Sequence, residues 1–196
     1  MIAAVVLAAG LSSRMGRQKL LLPMAGGQPL IRLAVERLLA AGLDDVVVVL
    51  GRDAEAVGAA LAGLPVRTAV NPRYAEGQST SLRVGIEALA PSTEAAVIAL
   101  ADQPLPDPAL VARLVAAFRA SGRPIAVPRY ADGRGNPVLF AAALFEELRA
   151  VTGDRGGRAV VAADPSRVTE VPVDAPMPLD VDTWADYRRV APDTIQ

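Results

Sequence analysis

The chain contains no cysteine and no histidine, and aromatic side chains make up only 4% of its 196 residues. Without cysteine there is no disulfide, no thiol nucleophile and no thiolate-held metal or iron–sulfur centre. Without histidine there is no Ser-His-Asp triad and no imidazole base, and an ordinary zinc site has no ligands. Any metal bound here must be a hard ion taken by oxygen: magnesium, manganese or calcium. The shortage of aromatics leaves the core to Ala, Val, Leu and Ile. Neither sign of charge is in excess, with twenty basic residues against twenty-one acidic ones and a net charge of −1. The basic footprint of a nucleic-acid or membrane-surface binder is therefore missing. The apolar N-terminal run from Met1 lacks a basic flank and ends at Ser12, Ser13 and Arg14, too early for a spanning helix. A cytoplasmic location is expected by elimination.

Hydrophobic residues make up 52% and charged residues 21%, an ordinary balance for a soluble enzyme, and the length suits one domain with a full core. Short apolar runs rich in Val, Ala and Ile occur at residues 2–7, 46–50, 66–70, 96–100 and 125–128. Runs apolar at every position predict strands covered on both faces, as in a parallel sheet. Between them the spacing predicts helices over 29–41, 53–61, 79–89 and 108–120. The first carries Ile31, Val35, Leu38 and Leu39 and stops at Ala41-Gly42, a usual helix end. This alternation predicts an α/β fold: a single doubly wound, mostly parallel sheet with helices on both faces. Beyond Tyr130 the rhythm predicts a turn at 131–137, a strand at 138–140, a helix over 141–150, a glycine-rich loop at 153–158 and a last strand at 168–173. No linker or repeat divides the chain.

In such sheets ligands bind beyond the carboxyl ends of the strands. The first strand runs into Leu7, Ala8, Ala9 and Gly10, then a loop bearing Arg14, Arg17 and Lys19. Its backbone N–H groups and charges suit an anion such as phosphate. It is neither a Walker loop nor a dinucleotide fingerprint, since the glycine spacing fits neither. Lys19 is the one lysine among nineteen arginines. A compact ammonium in a chain that otherwise uses guanidinium marks a place that Arg would not fit.

Leu7-Ala8-Ala9-Gly10, with Arg14-Met15-Gly16 and Lys19-Leu20 following, resembles the signature loop of the MobA-like nucleotidyltransferases, and among them the molybdenum cofactor cytidylyltransferases. Further stretches match in order: Gly77-Gln78-Ser79-Thr80-Ser81-Leu82, Ala101-Asp102-Gln103-Pro104-Leu105, Arg134-Gly135-Asn136-Pro137, Gly153-Asp154-Arg155-Gly156 and Asp180-Val181-Asp182-Thr183. The resemblance covers nearly the whole chain. It implies a Rossmann-like nucleotidyltransferase fold, with a nucleotide-binding half over about 1–105 and an acceptor-binding half over about 106–196. It also implies transfer of CMP from CTP to the phosphate of molybdopterin, release of pyrophosphate, and dependence on Mg²⁺ or Mn²⁺. Transient contact with an apo-molybdoenzyme or its chaperone is a further implication.

The nucleophile in such a transfer is already an anion, so the missing histidine is no obstacle; charge neutralisation and alignment are what the reaction needs. The resemblance assigns Arg14, Lys19 and Asp102 to catalysis. It gives nucleotide binding to Leu7, Ala8, Ala9, Gly10, Arg14, Lys19, Asn71, Ser79, Ser81 and Asp102. Ser79 or Ser81 could equally cap a helix. Asp102 and Asp182 are expected to hold the metal, with Asp180 as fallback. Thr183 and Asp186 have the spacing of a capping box, which would occupy Asp186 and leave Asp182 free. Trp184 stands where the family has proline, which is expected to alter that turn. Asn136, Asp154, Arg155 and Arg158 are assigned to the acceptor, although relatives often carry histidine where Asn136 stands. Ala9, where guanylyl-transferring relatives resemble Leu-Ala-Gly-Gly, leaves less room for a purine and favours CTP over GTP. The alternatives are a guanylyl- or sugar-phosphate nucleotidyltransferase, an NAD(P)H-linked reductase of dyes, and a molybdopterin carrier.

Overall fold

A computed structural model describes residues 1–103 and 107–191. Of Pro104, Pro106 and Pro108, expected to stiffen the turn after Asp102, the first two lie outside the described residues with Leu105, and Pro108 opens a helix. The strands are β1 (Ile2–Ala8), β2 (Asp45–Leu50), β3 (Arg67–Val70), β4 (Ala95–Leu100), β5 (Ile125–Tyr130), β6 (Gly133–Arg134), β7 (Val138–Ala141) and β8 (Val168–Pro172). They form one sheet in the order β3-β2-β1-β4-β7-β5-β6, with β8 also paired to β5. β1 lies between β2 and β4 and runs parallel to both, setting Val5 opposite Val47 and Ile98. Only β6 and β7 run against the rest: β7 is antiparallel to β4 and β5, and β5 continues parallel with β8.

The period of two along β1 divides the core. Ala4, Val6 and Ala8 face one cluster and Val5 the other. On the first face pack helices α1 (Leu30–Ala40), α2 (Ala54–Ala59) and α4 (Pro108–Ser121), together with the closing helix. On the second pack α3 (Gln78–Glu87), α5 (Phe145–Ala150) and α6 (Arg158–Ala163). α1 buries Leu30, Ile31, Ala34, Val35 and Leu38, one apolar stripe, and stops where Gly42 takes a left-handed φ of 72°. α7 (Trp184–Val190) begins at the anticipated capping box: the Thr183 hydroxyl accepts from the Asp186 N–H, and the Asp186 carboxylate accepts from the Thr183 N–H. Trp184 follows as the first residue of the helix. Its ring packs edge-on against Tyr187, with the Arg17 guanidinium 5.3 Å from its centroid.

Several expectations need correction. The run at 66–70 was expected to be covered on both faces, but β3 starts at Arg67 and is largely exposed, with Val70 59% accessible. It is the sheet's edge, paired on one side, and Arg67 answers Asp45 of β2 there. The helix expected over 141–150 is divided: Ala141 ends β7, Ala142–Leu144 forms a 3₁₀ turn and only then does α5 begin. The helix expected over 53–61 is shorter, because Asp53 takes a left-handed backbone at its start. The loop at 153–158 could equally be read as the exposed turn that starts a helix, and it is: Arg158, expected to end the loop, opens α6, and burial of Val160 and Val161 in the second cluster holds it in place. Among the described residues no helix is long and apolar enough to cross a membrane.

Candidate active site

The carboxyl ends of β1 and β4 converge at one edge of the sheet, and two loops deliver charge there. After β1 the chain takes a left-handed backbone at Ser12 (φ 50°), then two 3₁₀ turns, Ser13–Met15 and Lys19–Leu21, whose Met15 and Leu20 enter the core. Buried Gln18 pins this path. Its amide donates to the Arg52 carbonyl at 3.0 Å, and its carbonyl oxygen accepts from the Ser12 hydroxyl at 3.1 Å. Lys19 is thereby turned inward, leaving 10% of its side chain exposed.

The second loop is the strap that returns after β8. The Val181 N–H donates to the Asp102 carbonyl at 3.0 Å, and the Gln103 amide donates to Asp180 Oδ1 at 2.6 Å. These ties bring Asp182 against Asp102. The Lys19 ammonium lies between them, donating to Asp102 Oδ2 and Asp182 Oδ1 at 2.8 Å each. The two carboxylates therefore stand no further apart than two such hydrogen bonds. Arg14 Nη1 donates to the other Asp182 oxygen at 2.8 Å.

The charges adjust to one another. Burial pulls the Lys19 ammonium down, but the charge of Asp102, hydrogen bonds to both carboxylates and the charge of Asp182 outweigh it, and its pKa stands above the ordinary lysine value. The hydrogen bond from Lys19 outweighs burial at Asp182 and, with the charges of Lys19 and Arg14, holds its carboxyl below the usual aspartate value. Burial pushes Asp180 up, aided by the charges of Asp102 and Asp182 and opposed by the Gln103 hydrogen bond and Lys19.

Above this cluster opens a cleft of about 480 Å³. Of the residues expected to bind nucleotide or metal, Leu7, Ala8, Ala9, Gly10, Arg14, Lys19, Ser81, Asp102 and Asp182 line it. Asn71 and Ser79 do not. Asn71 is 1% exposed and its amide is fully used: it donates to the Thr80 and Ser81 hydroxyls at 2.8 and 2.9 Å and accepts from the Arg73 N–H at 2.9 Å. It ties the end of β3 to α3 behind the cleft wall. Neither Ser79 nor Ser81 caps α3; the residue before that helix is Gly77, and the Asp154 carboxylate accepts the Gln78 N–H at 3.2 Å. The lining also includes Gln78, expected with Ser79, Thr80 and Ser81 to contact the base or ribose, and Tyr74 and Glu76, which had no assigned role from sequence. Tyr74 and Glu76 lie in a 3₁₀ turn beyond β3, and the one pointer to them was that β3 ends at the same sheet edge as β1.

The residues assigned to the acceptor divide. Asp154 lines the main cleft. Asn136 and Arg158 line a second cavity of about 300 Å³, whose walls include Val127, Val138, Val161 and Met177. Arg155 is exposed and lines neither. Arg134, also in the second cavity, is paired with Glu170 at 2.7 Å.

Among the described residues no group of three or more acidic side chains is set to hold a metal ion. Asp102 and Asp182 nevertheless form a hard-oxygen pair closed around a cation, and the second oxygen of Asp102 accepts no hydrogen bond from the described residues. That donor set fits magnesium or manganese, which take one or two carboxylates and leave further positions to water and phosphate.

Residues 4–169 match the MobA-like NTP transferase domain. Among solved structures, Rv0371c from Mycobacterium tuberculosis H37Rv is 39% identical, with a TM-score of 0.87 over 96% of each chain. Its complex with manganese aligns at 36% identity and a TM-score of 0.85 over 98% of each chain. Nicotine blue oxidoreductase of Paenarthrobacter nicotinovorans is 34% identical over 82% of this chain and 81% of its own. The 2-C-methyl-D-erythritol 4-phosphate cytidylyltransferase of Nocardia farcinica (strain IFM 10152) is 39% identical over 65% of this chain, a match spanning 55% of that protein. With the family domain spanning most of its length, on a mostly parallel sheet with the site at its carboxyl edge, the chain belongs to the MobA-like NTP transferase family.

Proposed function

We propose that the protein is a divalent-metal-dependent cytidylyltransferase that moves CMP from CTP to the phosphate of molybdopterin and releases pyrophosphate. The observation that carries this reading is the Lys19 ammonium held between Asp102 and Asp182 at the base of the cleft. An oxygen of the acceptor phosphate attacks the α-phosphorus of the nucleotide. A new phosphorus–oxygen bond forms as the bond to the β-phosphate oxygen breaks, and that oxygen leaves on pyrophosphate. Arg14, Lys19, Ala8, Ala9 and Gly10 line the cleft, and the charges of Arg14 and Lys19, with the backbone amides of the loop after β1, would bind the triphosphate and neutralise charge on the leaving group. Asp102 and Asp182 would hold the metal, which supplies Lewis-acid polarisation of the phosphate when bound. A manganese complex of the similar Rv0371c supports metal use here.

The finer assignments have their own supports. A Cβ placed on Gly51 would lie 2.7 Å from the methyl of Ala9 and 2.7 Å from Cβ of Tyr74, so these two cleft-lining residues close on Gly51 without slack. That closeness favours a pyrimidine, as does similarity to a cytidylyltransferase. The second cavity, apolar walls with Asn136 and Arg158 at the edge, suits a flat heterocycle bearing polar edges and an anion.

The similarity to nicotine blue oxidoreductase favours a second reading, an NAD(P)H-linked reductase. One experiment separates them. Pyrophosphate release is measured with molybdopterin, Mg²⁺ or Mn²⁺ and each of CTP, GTP, ATP and UTP, with a sugar phosphate as the alternative acceptor. NAD(P)H oxidation with a dye is followed in parallel. Pyrophosphate with CTP and molybdopterin is the expected result. Release with GTP or with the sugar phosphate alone moves the reading to those transferases. Nicotinamide oxidation without pyrophosphate overturns it, and so does binding of molybdopterin without any turnover.

A further inference from the structure

Helix α3 begins without a capping side chain of its own. The first backbone N–H groups of a helix have no partners within it. The residue ahead of Gln78 is Gly77, at φ 112°, which has no side chain to offer. Thr80 does not serve either, since its one hydroxyl hydrogen is shared between the Arg73 and Gly77 carbonyls at 3.0 and 2.9 Å and its oxygen accepts from the Asn71 amide. The partners come from the loop at Gly153 and Asp154, far along the chain. Asp154 Oδ1 accepts the Gln78 N–H at 3.2 Å, and the Gly153 carbonyl accepts the Ser79 N–H at 3.0 Å.

The two segments meet closely at Gly77, where a side chain would meet the Gly153 backbone. A Cβ on Gly77 would lie 2.9 Å from Asp154 Oδ1 and 3.0 Å from the Gly153 carbonyl, and a Cβ on Gly156 would lie 2.3 Å from Gln78 Oε1. Gly77 and Gln78 line the same cleft as Ala9 and Gly10. An aspartate at the first turn of a helix also suits the helix dipole.

We infer that Asp154 is a positioning residue for the nucleotide, not a contact of the acceptor: it caps α3 and so sets where the wall at Gly77 and Gln78 stands. This rests on the proposal that the main cleft takes the nucleotide. The same loop runs four residues on to Arg158 in the second cavity, so one short segment borders both cavities.

The test compares Asp154→Ala with Asp154→Asn in the full chain, since the Asn carbonyl oxygen can still accept the Gln78 N–H. Loss of a cap is expected to raise KM for CTP about fivefold in Asp154→Ala and to leave kcat and the acceptor KM within about twofold. Asp154→Asn should recover most of the nucleotide affinity. A rise in the acceptor KM alone, or Ala and Asn variants that behave alike, overturns the inference. Hydrogen exchange at the Gln78 and Ser79 amides is measured in the nucleotide-free protein as well. Faster exchange in Asp154→Ala and near-wild-type exchange in Asp154→Asn are expected; unchanged exchange in Asp154→Ala overturns the capping role. If the unmutated protein turns over no nucleotide, the transferase reading fails, and exchange still decides whether Asp154 sets the wall.

Discussion

Lys19 sits in a corner built for an ammonium, with oxygens of two carboxylates at 2.8 Å and little solvent around it. A guanidinium keeps the charge but is planar and wider, and it would have to part Asp102 from Asp182. Lys19→Arg should therefore lower the single-turnover transfer rate at least tenfold, or ~1.4 kcal/mol of barrier, with an unchanged circular dichroism spectrum. A rate near that of the unmutated protein would make the lysine incidental. Asp102→Asn and Asp182→Asn keep shape but remove a charge from the pair. Each should abolish most transfer, and excess Mg²⁺ should restore only part of it; full activity in Asp182→Asn would shift the metal role to Asp180. Ala9→Gly removes the methyl packed beside Gly51 and Tyr74, which should relax the ratio of CTP to GTP use. Competition assays with both nucleotides read that ratio directly.

At the scale of elements, the site depends on helix starts more than on helix interiors. Thr183 and Asp186 satisfy each other's backbone at the head of α7, immediately after Asp182. Thr183→Ala should cost about 1 kcal/mol, read from urea unfolding, while Thr183→Ser should cost little. The same change should slow transfer more than the Ser variant does, because the strap carrying Asp182 loses its anchor. α3 borrows its cap from the loop at Asp154, and β3 turns its exposed face outward because it has one neighbour. These features come from how elements meet, which local propensity does not encode.

For the whole molecule, one sheet with a core on each face places all the parallel strand ends of its first half at one edge, and the strap after β8 closes the site over them. Stability should then carry the signature of the bridged charges. The Asp182 carboxyl lies below its ordinary value of 3.8, so its contribution is present above that pH and is lost as pH falls through the lower folded value. Lys19 lies above 10.5, so its share is intact below that pH and disappears as pH rises past the folded value. Partial exposure of Asp182 limits its pairing to about 1 kcal/mol. The difference in unfolding free energy between the unmutated protein and Asp182→Asn should be visible at pH 7 and should shrink towards zero below pH 3.8. A difference that persists undiminished in acid would show that packing, not charge, explains the variant.

Periodicity made the alternation of β1, α1, β2, α2 and β4 readable, because it depends on neighbours within a few residues. The missing Cys and His by themselves narrow any metal to oxygen ligands. The loop from Leu7 to Lys19 stood out for the same local reason: small residues, then a lone ammonium. The capping box at Thr183 was legible because its two members are three residues apart. Asn71 was not legible as a buried tie, since its partners Thr80 and Ser81 reach it only after β3 and α3 pack. α6 was legible only as a helix-start turn at 153–158, because six residues carry too little periodic signal, and burial of Val160 and Val161 against the sheet is what holds it. The ammonium between Asp102 and Asp182, and the carboxylate of Asp154 at the head of α3, join residues 83, 163 and 76 positions apart. Contacts at such separations are set by the order in which strands lie in the sheet, and only the folded chain supplies that order.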